Sequence, residues 1–575
     1  MTKQWFKNSV VYQIYPMSFQ DSNNDGIGDL AGITQRLQYI HNLGADVIWL
    51  NPIYVSPNKD NGYDIADYRN INPNYGTMQD FEDLLQQAHR LDLKIMMDLV
   101  VNHTSDQHVW FKESCKNQTN EYANYYIWRD PVDGHEPNNW LAAFGGSAWT
   151  YVPERKQYYL HMFAEGQPDL NWENLEVREA VFDIERFWLD KGVDGFRMDV
   201  INLISKPEGL PDVTEPVTAG TTMDFVADGH RLNEFLRQMN DEVLSKYDTI
   251  TVGEMPSSTP EDAIKYTGLD SHELNMVFQF EHVSLSPNPD VRLGKWNDEP
   301  INLVELKASL NRWQIGLDGK GWNSLYWNNH DQPRAVSRFG NDQPEFRVLS
   351  AKMLATTLHM MQGTPYVYQG EELGMTNGHF ESLEQYEDIE SVNFYHEFVD
   401  EQKIVDSATM LKYLANMSRD NARTPMQWNN QQNAGFSNVT PWYAPNKNYT
   451  AINAENVLSD NDSVYYHYQK LIQLRHDSEI VRYGTFEAID SEDNQVYAYL
   501  RHYKEQSVLV LSNFTDKVVT RDYGQTKFSE LLINNYLDDQ GTTLRPYESK
   551  VYLLTKKSKF LTKRRCYFES KKSSF

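Results

Sequence analysis

The apolar positions of this chain fall in short continuous blocks. Such blocks, rich in β-branched residues and ended by turn or polar groups, lie at 10–16, 46–52, 94–100, 195–200, 250–254, 276–280, 324–331 and 364–369. A strand with one wetted face alternates apolar and polar residues, whereas a strand covered on both faces is apolar throughout. These blocks therefore predict buried parallel strands. Between them run stretches with apolar residues at helical spacing, at 33–42, 78–91, 178–191 and 232–246. Eight strands alternating with helices predict an α/β fold, a (β/α)8 barrel. A doubly wound sheet is the alternative, disfavoured because no Gly-rich phosphate loop follows the first strand.

Two gaps interrupt the rhythm and set the expected domains. The barrel takes 1–103 and 173–478. Residues 104–172, rich in Trp, Tyr, Asn and Gly, read as an inserted small domain after the third strand. A second insertion, about 375–443, follows the eighth strand. Beyond it the pattern changes to short alternating segments at 496–500, 507–513, 531–535 and 549–554. Residues 479–555 therefore predict a C-terminal antiparallel β-sandwich. The stretch 556–575 carries eight Lys or Arg against one Glu without apolar periodicity, and reads as a basic disordered tail.

Charge narrows the partners. Lys plus Arg number 53 against 81 Asp plus Glu, a net charge of -28 over 575 residues. Such a surface repels phosphate backbones, so no nucleic-acid partner is expected. No apolar run is long enough to span a bilayer, so no membrane partner is expected either. There are two cysteines, Cys115 and Cys566, which excludes a disulfide framework or a thiolate metal cluster. The first residues lack the apolar segment and small-residue cleavage site of a secretory signal, so a cytoplasmic setting is the expectation; a monomer is expected as well. Aromatic residues reach 13%, with 14 Trp and 35 Tyr. Most belong to a large core, but aromatic faces also stack on sugar rings.

Chemistry gathers at the predicted strand ends, where a barrel of this kind places its active site. The third strand runs into Val101-Asn102-His103, the fourth ends in Gly195-Phe196-Arg197-Met198-Asp199, the fifth in Val252-Gly253-Glu254 and the seventh in Asn328-Asn329-His330-Asp331. One acidic residue there would read as a cap or an ion-pair partner, but three carboxylates, two histidines and an arginine on one rim do not. Carboxylates without a thiolate or phosphate loop suggest glycoside chemistry. That chemistry needs one carboxylic acid to protonate the leaving oxygen and one carboxylate to trap or stabilise the oxocarbenium-like carbon. Arg197, on the same strand face as Asp199, is expected to keep Asp199 ionised. Glu254 is expected in a less polar spot where it keeps its proton. Asp331 and His330 are expected to grip sugar hydroxyls.

These stretches, with Gln13-Ile14-Tyr15-Pro16, Asp98-Leu99-Val100-Val101-Asn102-His103, Gly253-Glu254-Met255-Pro256 and Asn329-His330-Asp331-Gln332, resemble the α-amylase family of glycoside hydrolases, in its oligo-1,6-glucosidase branch. The resemblance spans about residues 3–555. It implies Asp199 as nucleophile, Glu254 as acid/base and Asp331 as transition-state stabiliser. It implies that His103, Arg197 and His330 hold the cleaved glucose. It adds Asp60, Tyr63 and Asp64, from Asp60-Asn61-Gly62-Tyr63-Asp64-Ile65, and Arg423, from Asn421-Ala422-Arg423-Thr424-Pro425-Met426-Gln427-Trp428, to the same pocket. Val200, directly after the nucleophile, is similar to the residue of the α-1,6-acting members and is expected to face the leaving sugar. The implied substrate is a small isomalto-oligosaccharide, cut from its non-reducing end, with no organic cofactor. Trehalose-6-phosphate hydrolases share Val200 and a segment like Phe144-Gly145-Gly146-Ser147-Ala148-Trp149. Against them, Met276-Val277-Phe278-Gln279-Phe280-Glu281-His282 looks like the oligo-1,6-glucosidase version. α-1,4-Glucosidases, sucrose isomerases and related transglycosylases stay open. So do non-catalytic relatives that serve amino-acid transporters, although those have lost the carboxylates.

One loop has its own signature. Asp21, Asn23, Asp25 and Asp29 put side-chain oxygens at positions 1, 3, 5 and 9 of an EF-hand-like loop, with Gly26 at the turn and the Ile27 carbonyl between. Gly32 stands where the hand needs its final Glu, so the hand is incomplete. Loops of this composition also occur without metal. The family resemblance implies structural calcium held by Asp21, Asn23, Asp25, Ile27 and Asp29.

Overall fold

In a computed structural model of the chain, the structure describes residues 4–524 and 529–554. The expected basic tail at 556–575 lies outside the described residues. Eight parallel strands form one sheet: β1 Val11–Ile14, β2 Val47–Leu50, β3 Lys94–Leu99, β4 Gly195–Met198, β5 Ile250–Glu254, β6 Met276–Phe278, β7 Ser324–Leu325 and β8 Thr364–Tyr368. Neighbours pair in chain order from β1 to β6, and β8 pairs with both β7 and β1. A parallel bridge between Val277 and Asn323 joins β6 to β7, so the sheet closes into a barrel. Every residue of β1, β2, β4, β5, β6 and β8 is buried, which is why their sequences carry no alternation. At the start of β4 a Cβ on Gly195 would lie 1.9 Å from the Ile250 carbonyl oxygen. The close approach of β4 to β5 thus requires glycine there.

Helices follow the strands as expected, with adjusted ends. The first runs Leu30–Leu43, capped by Asp29, and the second Met78–Arg90, with Thr77 and Asp80 forming a capping box. Others run Leu175–Asp190 and Leu232–Glu242. The expected helix at 232–246 is shorter because a 3-10 turn, Leu244–Lys246, takes over after Val243. The seventh strand is also shorter than its apolar block. Past Leu325 the chain leaves the sheet, and Asn328 to Asp331 become a turn at the barrel mouth.

The region after β3 carries a three-stranded antiparallel sheet, with Gln157–Leu160 between Trp128–Arg129 and Trp149–Val152. Strands this short cannot bury a face alone. Residues from beyond β4 complete their core: Val200, Leu203, Leu210, Val213 and Val226 cluster with Ile127, Trp140, Ala148, Trp149, Leu160 and Met162. The inserted unit is thus built from two stretches of chain, one of which the sequence reading left in the barrel. The insertion after β8 forms the helices Ile389–Tyr395 and Ser407–Met417, packed around Trp296, Phe398, Met410 and Leu414. The C-terminal part is an antiparallel sheet of five strands in the order Thr485–Ile489, Val496–Tyr503, Gln506–Asn513, Ser549–Leu554, Ser529–Asn534, with a two-stranded ribbon of Val519–Thr520 and Thr543–Leu544.

Candidate active site

The carboxyl ends of β3, β4 and β5 meet around one guanidinium. Arg197 is fully buried, and its Nη1 donates to Asp98 Oδ1 at 2.7 Å and to Asp199 Oδ1 at 2.8 Å. Its Nη2 lies 2.5 Å from Glu254 Oε2. The Val200 backbone N–H donates to the same Glu254 oxygen at 3.1 Å. Asp199 and Glu254 thus meet on one guanidinium. Trp49 Nε1 and the Tyr63 hydroxyl both donate to Asp98 Oδ2, at 3.1 and 2.9 Å. The face of Trp49 also backs the guanidinium, 5.2 Å away.

Three buried carboxylates on one cation leave excess negative charge, and the cluster relieves it by holding a proton. Burial pushes Asp98 up to about 6, against the pull of Arg197. Burial also raises Asp199 well above the usual carboxylate range; Arg197 opposes this, and Glu254 and Asp98 add to it. The sequence expectation divided Arg197 differently. The arginine does contact Asp199, but it contacts Glu254 as closely, so Glu254 is not in the less polar position foreseen for it.

A second cluster faces the first across the mouth. Asp331 Oδ1 accepts from Arg423 Nη2 at 2.8 Å and from Arg419 Nη1 at 3.2 Å, while Asp331 Oδ2 lies 3.0 Å from His330 Nε2. Burial works against ionising Asp331, yet His330, Arg419 and Arg423 together hold its carboxyl well below the ordinary range. Two guanidiniums on one oxygen repel each other unless a second anion faces them. Asp388 supplies it, accepting from Arg419 Nε at 3.0 Å, Arg419 Nη2 at 2.9 Å and Arg423 Nη1 at 2.6 Å. Asp388 is itself fixed as the N-cap of the helix Ile389–Tyr395.

The remaining expected residues divide. Asp60 joins the pocket: Arg419 Nη2 donates to Asp60 Oδ1 at 3.1 Å and Gln167 Nε2 to Asp60 Oδ2 at 3.0 Å. Burial pushes Asp60 up to about 7, opposed by Arg419. Tyr63 stacks on His330 with ring centroids 5.1 Å apart. His103 Nε2 lies 3.1 Å from the Tyr63 carbonyl oxygen, and burial lowers the imidazole to about 4, so it is neutral. His330 is buried, with Nδ1 3.0 Å from Gln13 Nε2, and burial holds it well below its usual value.

Asp64 does not join them. Its oxygens are taken by Ser56 Oγ at 2.9 Å, Lys59 N–H at 3.0 Å and Asp60 N–H at 3.1 Å, which makes it the fastener of the loop that presents Asp60 and Tyr63. Val200 reaches Glu254 through its N–H, and its side chain belongs to the apolar cluster with Trp140 and Leu203, on which the pocket ring Phe163 also packs. The Val200 φ of 35° is left-handed, an uncommon conformation for a β-branched residue, and this turn is what directs the N–H at Glu254.

Four participants escaped the sequence reading: Asp98, Gln167, Asp388 and Arg419. Asp98 had a signal, since it is the one carboxylate inside the otherwise apolar end of β3. Arg419 had a weaker one, four residues before Arg423 and so one helical turn away. Two rings from the inserted unit complete the far wall. Phe144 lies under Arg419, 4.8 Å from its guanidinium carbon, and Phe163 lies 5.1 Å from His103. Asn393, from the insertion after β8, donates to the Phe144 carbonyl oxygen at 3.1 Å, so the two insertions meet there.

The Asp21–Asp29 loop is tightly folded. Asp21 Oδ1 accepts from Asn23 and Asn24 N–H, at 3.1 and 2.7 Å, and Asp21 Oδ2 from Gly26 N–H at 2.9 Å. Asp25 Oδ1 accepts from Ile27 N–H at 2.8 Å, and Asp29 Oδ2 from Ser22 N–H at 2.8 Å. Among the described residues no three His, Cys, Asp or Glu side chains converge as a metal cluster. A cation here would rest on a mixed set of carboxylate, amide and backbone oxygens, the hard-oxygen set that suits calcium.

Comparison with known proteins places these features. The family model described as the α-amylase catalytic domain matches residues 13–484. An α-glucosidase of Pediococcus pentosaceus is 54% identical over 555 residues, covering 96% of this chain and 99% of its own. An oligo-1,6-glucosidase of Bacillus cereus is 53% identical over 562 residues, covering 96% of this chain and 100% of its own. A crystal structure of a mutant trehalose-6-phosphate hydrolase from Bacillus licheniformis superposes with a TM-score of 0.91 at 48% identity, covering 96% of this chain and 100% of that one.

Proposed function

The chain belongs to the α-amylase family of glycoside hydrolases, and from that premise we propose that it is an exo-acting, retaining α-glucosidase that cleaves α-1,6 bonds at the non-reducing end of isomalto-oligosaccharides. The observation that carries this reading is the pairing of Asp199 with Glu254 on one buried guanidinium. With the proton on Glu254, that residue protonates the departing oxygen while Asp199 attacks the anomeric carbon. Held on the same guanidinium, the two carboxylates lie close together, which supports a covalent glucosyl-enzyme over direct displacement by a water placed between them. Glu254, now ionised, then takes a proton from the water that releases glucose. Asp331, kept anionic by two arginines and His330, is suited to bind ring hydroxyls and to balance the positive charge that develops. The names of the oligo-1,6-glucosidase relatives support the α-1,6 linkage.

Glucose release from isomaltose, isomaltotriose, maltose, sucrose and trehalose-6-phosphate, compared by kcat/KM, tests the assignment. Isomaltose and isomaltotriose should lead. A lead for trehalose-6-phosphate would move the protein to that group, and conversion of sucrose to an isomer would move it to the isomerases. NMR of the first glucose released should show the α-anomer, and a β-anomer would sink the retaining route.

We further propose that the Asp21–Asp29 loop holds structural calcium, with Asp21, Asn23, Asp25 and Asp29 side chains and the Ile27 carbonyl as donors. Binding to the folded loop alone stabilises the native state by mass action. EDTA should therefore lower the Tm while initial rates at moderate temperature survive. No change in Tm would mean that the loop stands without a metal. The scarcity of cysteine supports a cytoplasmic setting. No helix of the described residues is long and apolar enough to cross a membrane.

A further inference from the structure

We propose that Lys206, on the segment after β4, is a positioning residue that fixes the ring tautomer of His103 by dictating which way the Asn102 amide points. The role of His103 in sugar binding rests on the α-glucosidase reading; the tautomer relay itself does not.

Lys206 is buried. Its Nζ donates to the Leu203 carbonyl at 2.5 Å and to Asn102 Oδ1 at 2.8 Å, and pairs with Asp169 Oδ2 at 2.6 Å. An ammonium has three protons and no lone pair, so these partners saturate it and the atom of Asn102 that meets it must be the oxygen. The Asn102 nitrogen is thereby turned the other way. It lies 3.2 Å from Asp169 Oδ2 and 3.2 Å from His103 Nδ1. An amide N–H facing Nδ1 needs a lone pair there. The ring proton of His103 is therefore on Nε2, where it faces the Tyr63 carbonyl at 3.1 Å. Asp169, which accepts only, takes the nitrogen end of the same amide, so Lys206 and Asp169 sort it from opposite ends. Asp169 is the fixed anchor: Met162 N–H donates to its Oδ1 at 3.0 Å, and its backbone N–H and C=O join the inserted sheet.

The groups facing His103 are Asp169, Lys206, Asn102, the Tyr63 carbonyl, Gln167 Nε2 at 3.3 Å and the Phe163 ring. Asp169 favours a protonated ring, while burial and Lys206 oppose it. Removing the ammonium therefore does two things. It leaves the oxygen end of the Asn102 amide unheld, so that the amide keeps its N–H on Nδ1 less firmly, and it leaves Asp169 without its cation. Both changes favour a proton on Nδ1.

The test follows His103 directly. In protein labelled with ring-13C histidine and assigned with His103→Gln, the wild-type imidazole should stay neutral down to about pH 4. In Lys206→Met its titration midpoint should rise by about one unit or more. KM for isomaltose should rise about two- to tenfold, the loss of one oriented hydrogen bond, with kcat nearly unchanged. Asn102→Ala keeps the Lys206–Asp169 pair but cuts the relay, so it should reproduce the midpoint and KM shifts in a stably folded protein. An Asn102→Ala protein with wild-type midpoint and KM overturns the proposal, whether or not Lys206→Met folds. A folded Lys206→Met whose kcat falls while midpoint and KM stay put overturns it too. If the wild type cleaves no glucoside, the glucosidase reading fails, and the histidine titrations still decide the relay.

Discussion

Around Arg197 three carboxylates share one guanidinium, whereas the equally buried Glu371 and Glu372, just past β8, are met by phenols. Glu372 Oε1 accepts from the Tyr12 and Tyr39 hydroxyls, each at 2.8 Å, and its Oε2 from Gly370 N–H at 3.0 Å. Glu371 Oε1 accepts from the Tyr468 hydroxyl at 2.6 Å, and its Oε2 has no hydrogen-bond partner among the described residues. Burial pushes Glu371 up to about 8, against the Tyr468 hydrogen bond and the more remote pull of Arg334. A phenol gives a carboxylate one hydrogen bond but no charge, so the proton stays and the group is structural. A guanidinium gives charge as well, so several carboxylates can share a proton that moves between them. Burial alone does not make a carboxylate chemical; the company of a cation does.

The largest expected effect breaks the catalytic side of this contrast. Asp199→Asn should lower kcat by at least about a thousandfold, since it removes the proposed nucleophile while preserving shape. Steady-state rates on isomaltose, with a melting curve to show an intact fold, check it. A variant retaining a tenth of the activity would move the nucleophile elsewhere.

A smaller loss is expected where the cation itself is disturbed. Asp388→Asn keeps every atom near Arg419 and Arg423 but deletes the anion that lets them lie side by side. The pair should splay and hold Asp331 and Asp60 less firmly, lowering kcat/KM about 10–100-fold. If kcat/KM stays within about twofold, Asp331 is oriented by His330 and the chain turn alone.

The smallest effect belongs to the phenol-lined side, in stability rather than rate. Glu371 titrates near 8 when folded, against an ordinary carboxyl value when unfolded. As pH rises between those values the unfolded chain loses its proton first, so the native state loses stability over that window. Glu371→Gln abolishes this loss while keeping an oxygen for Tyr468. It should raise Tm by about 1–3 °C at pH 8, leave it unchanged at pH 4, and leave kcat unchanged at both. A Tm shift of equal size at both pH values would assign the effect to packing.

The strands and their terminal polar residues were legible because a buried parallel strand must be apolar until the chain reaches the barrel mouth. Asp199, Glu254 and Asp331 each stand where that run stops. The error over Asp64 has the same root: adjacency in a motif does not tell which side chain faces the pocket and which fastens the loop. Asp388 and Arg419 were hidden for another reason. They lie in an insertion without strand or barrel periodicity, and their role exists only once distant parts of the chain meet.

The meeting of the two insertions at Phe144 and Asn393 has a consequence for how such a protein can diversify. The carboxylates around Arg197 sit on barrel elements, where almost any change disturbs the whole fold. The wall opposite them is assembled from two loops that are held to each other by a backbone carbonyl and an amide. Their lengths and side chains can vary without touching a barrel strand. Evolution can therefore deepen or open the pocket, and so trade one chain length of sugar for another, while the bond-breaking machinery is inherited intact.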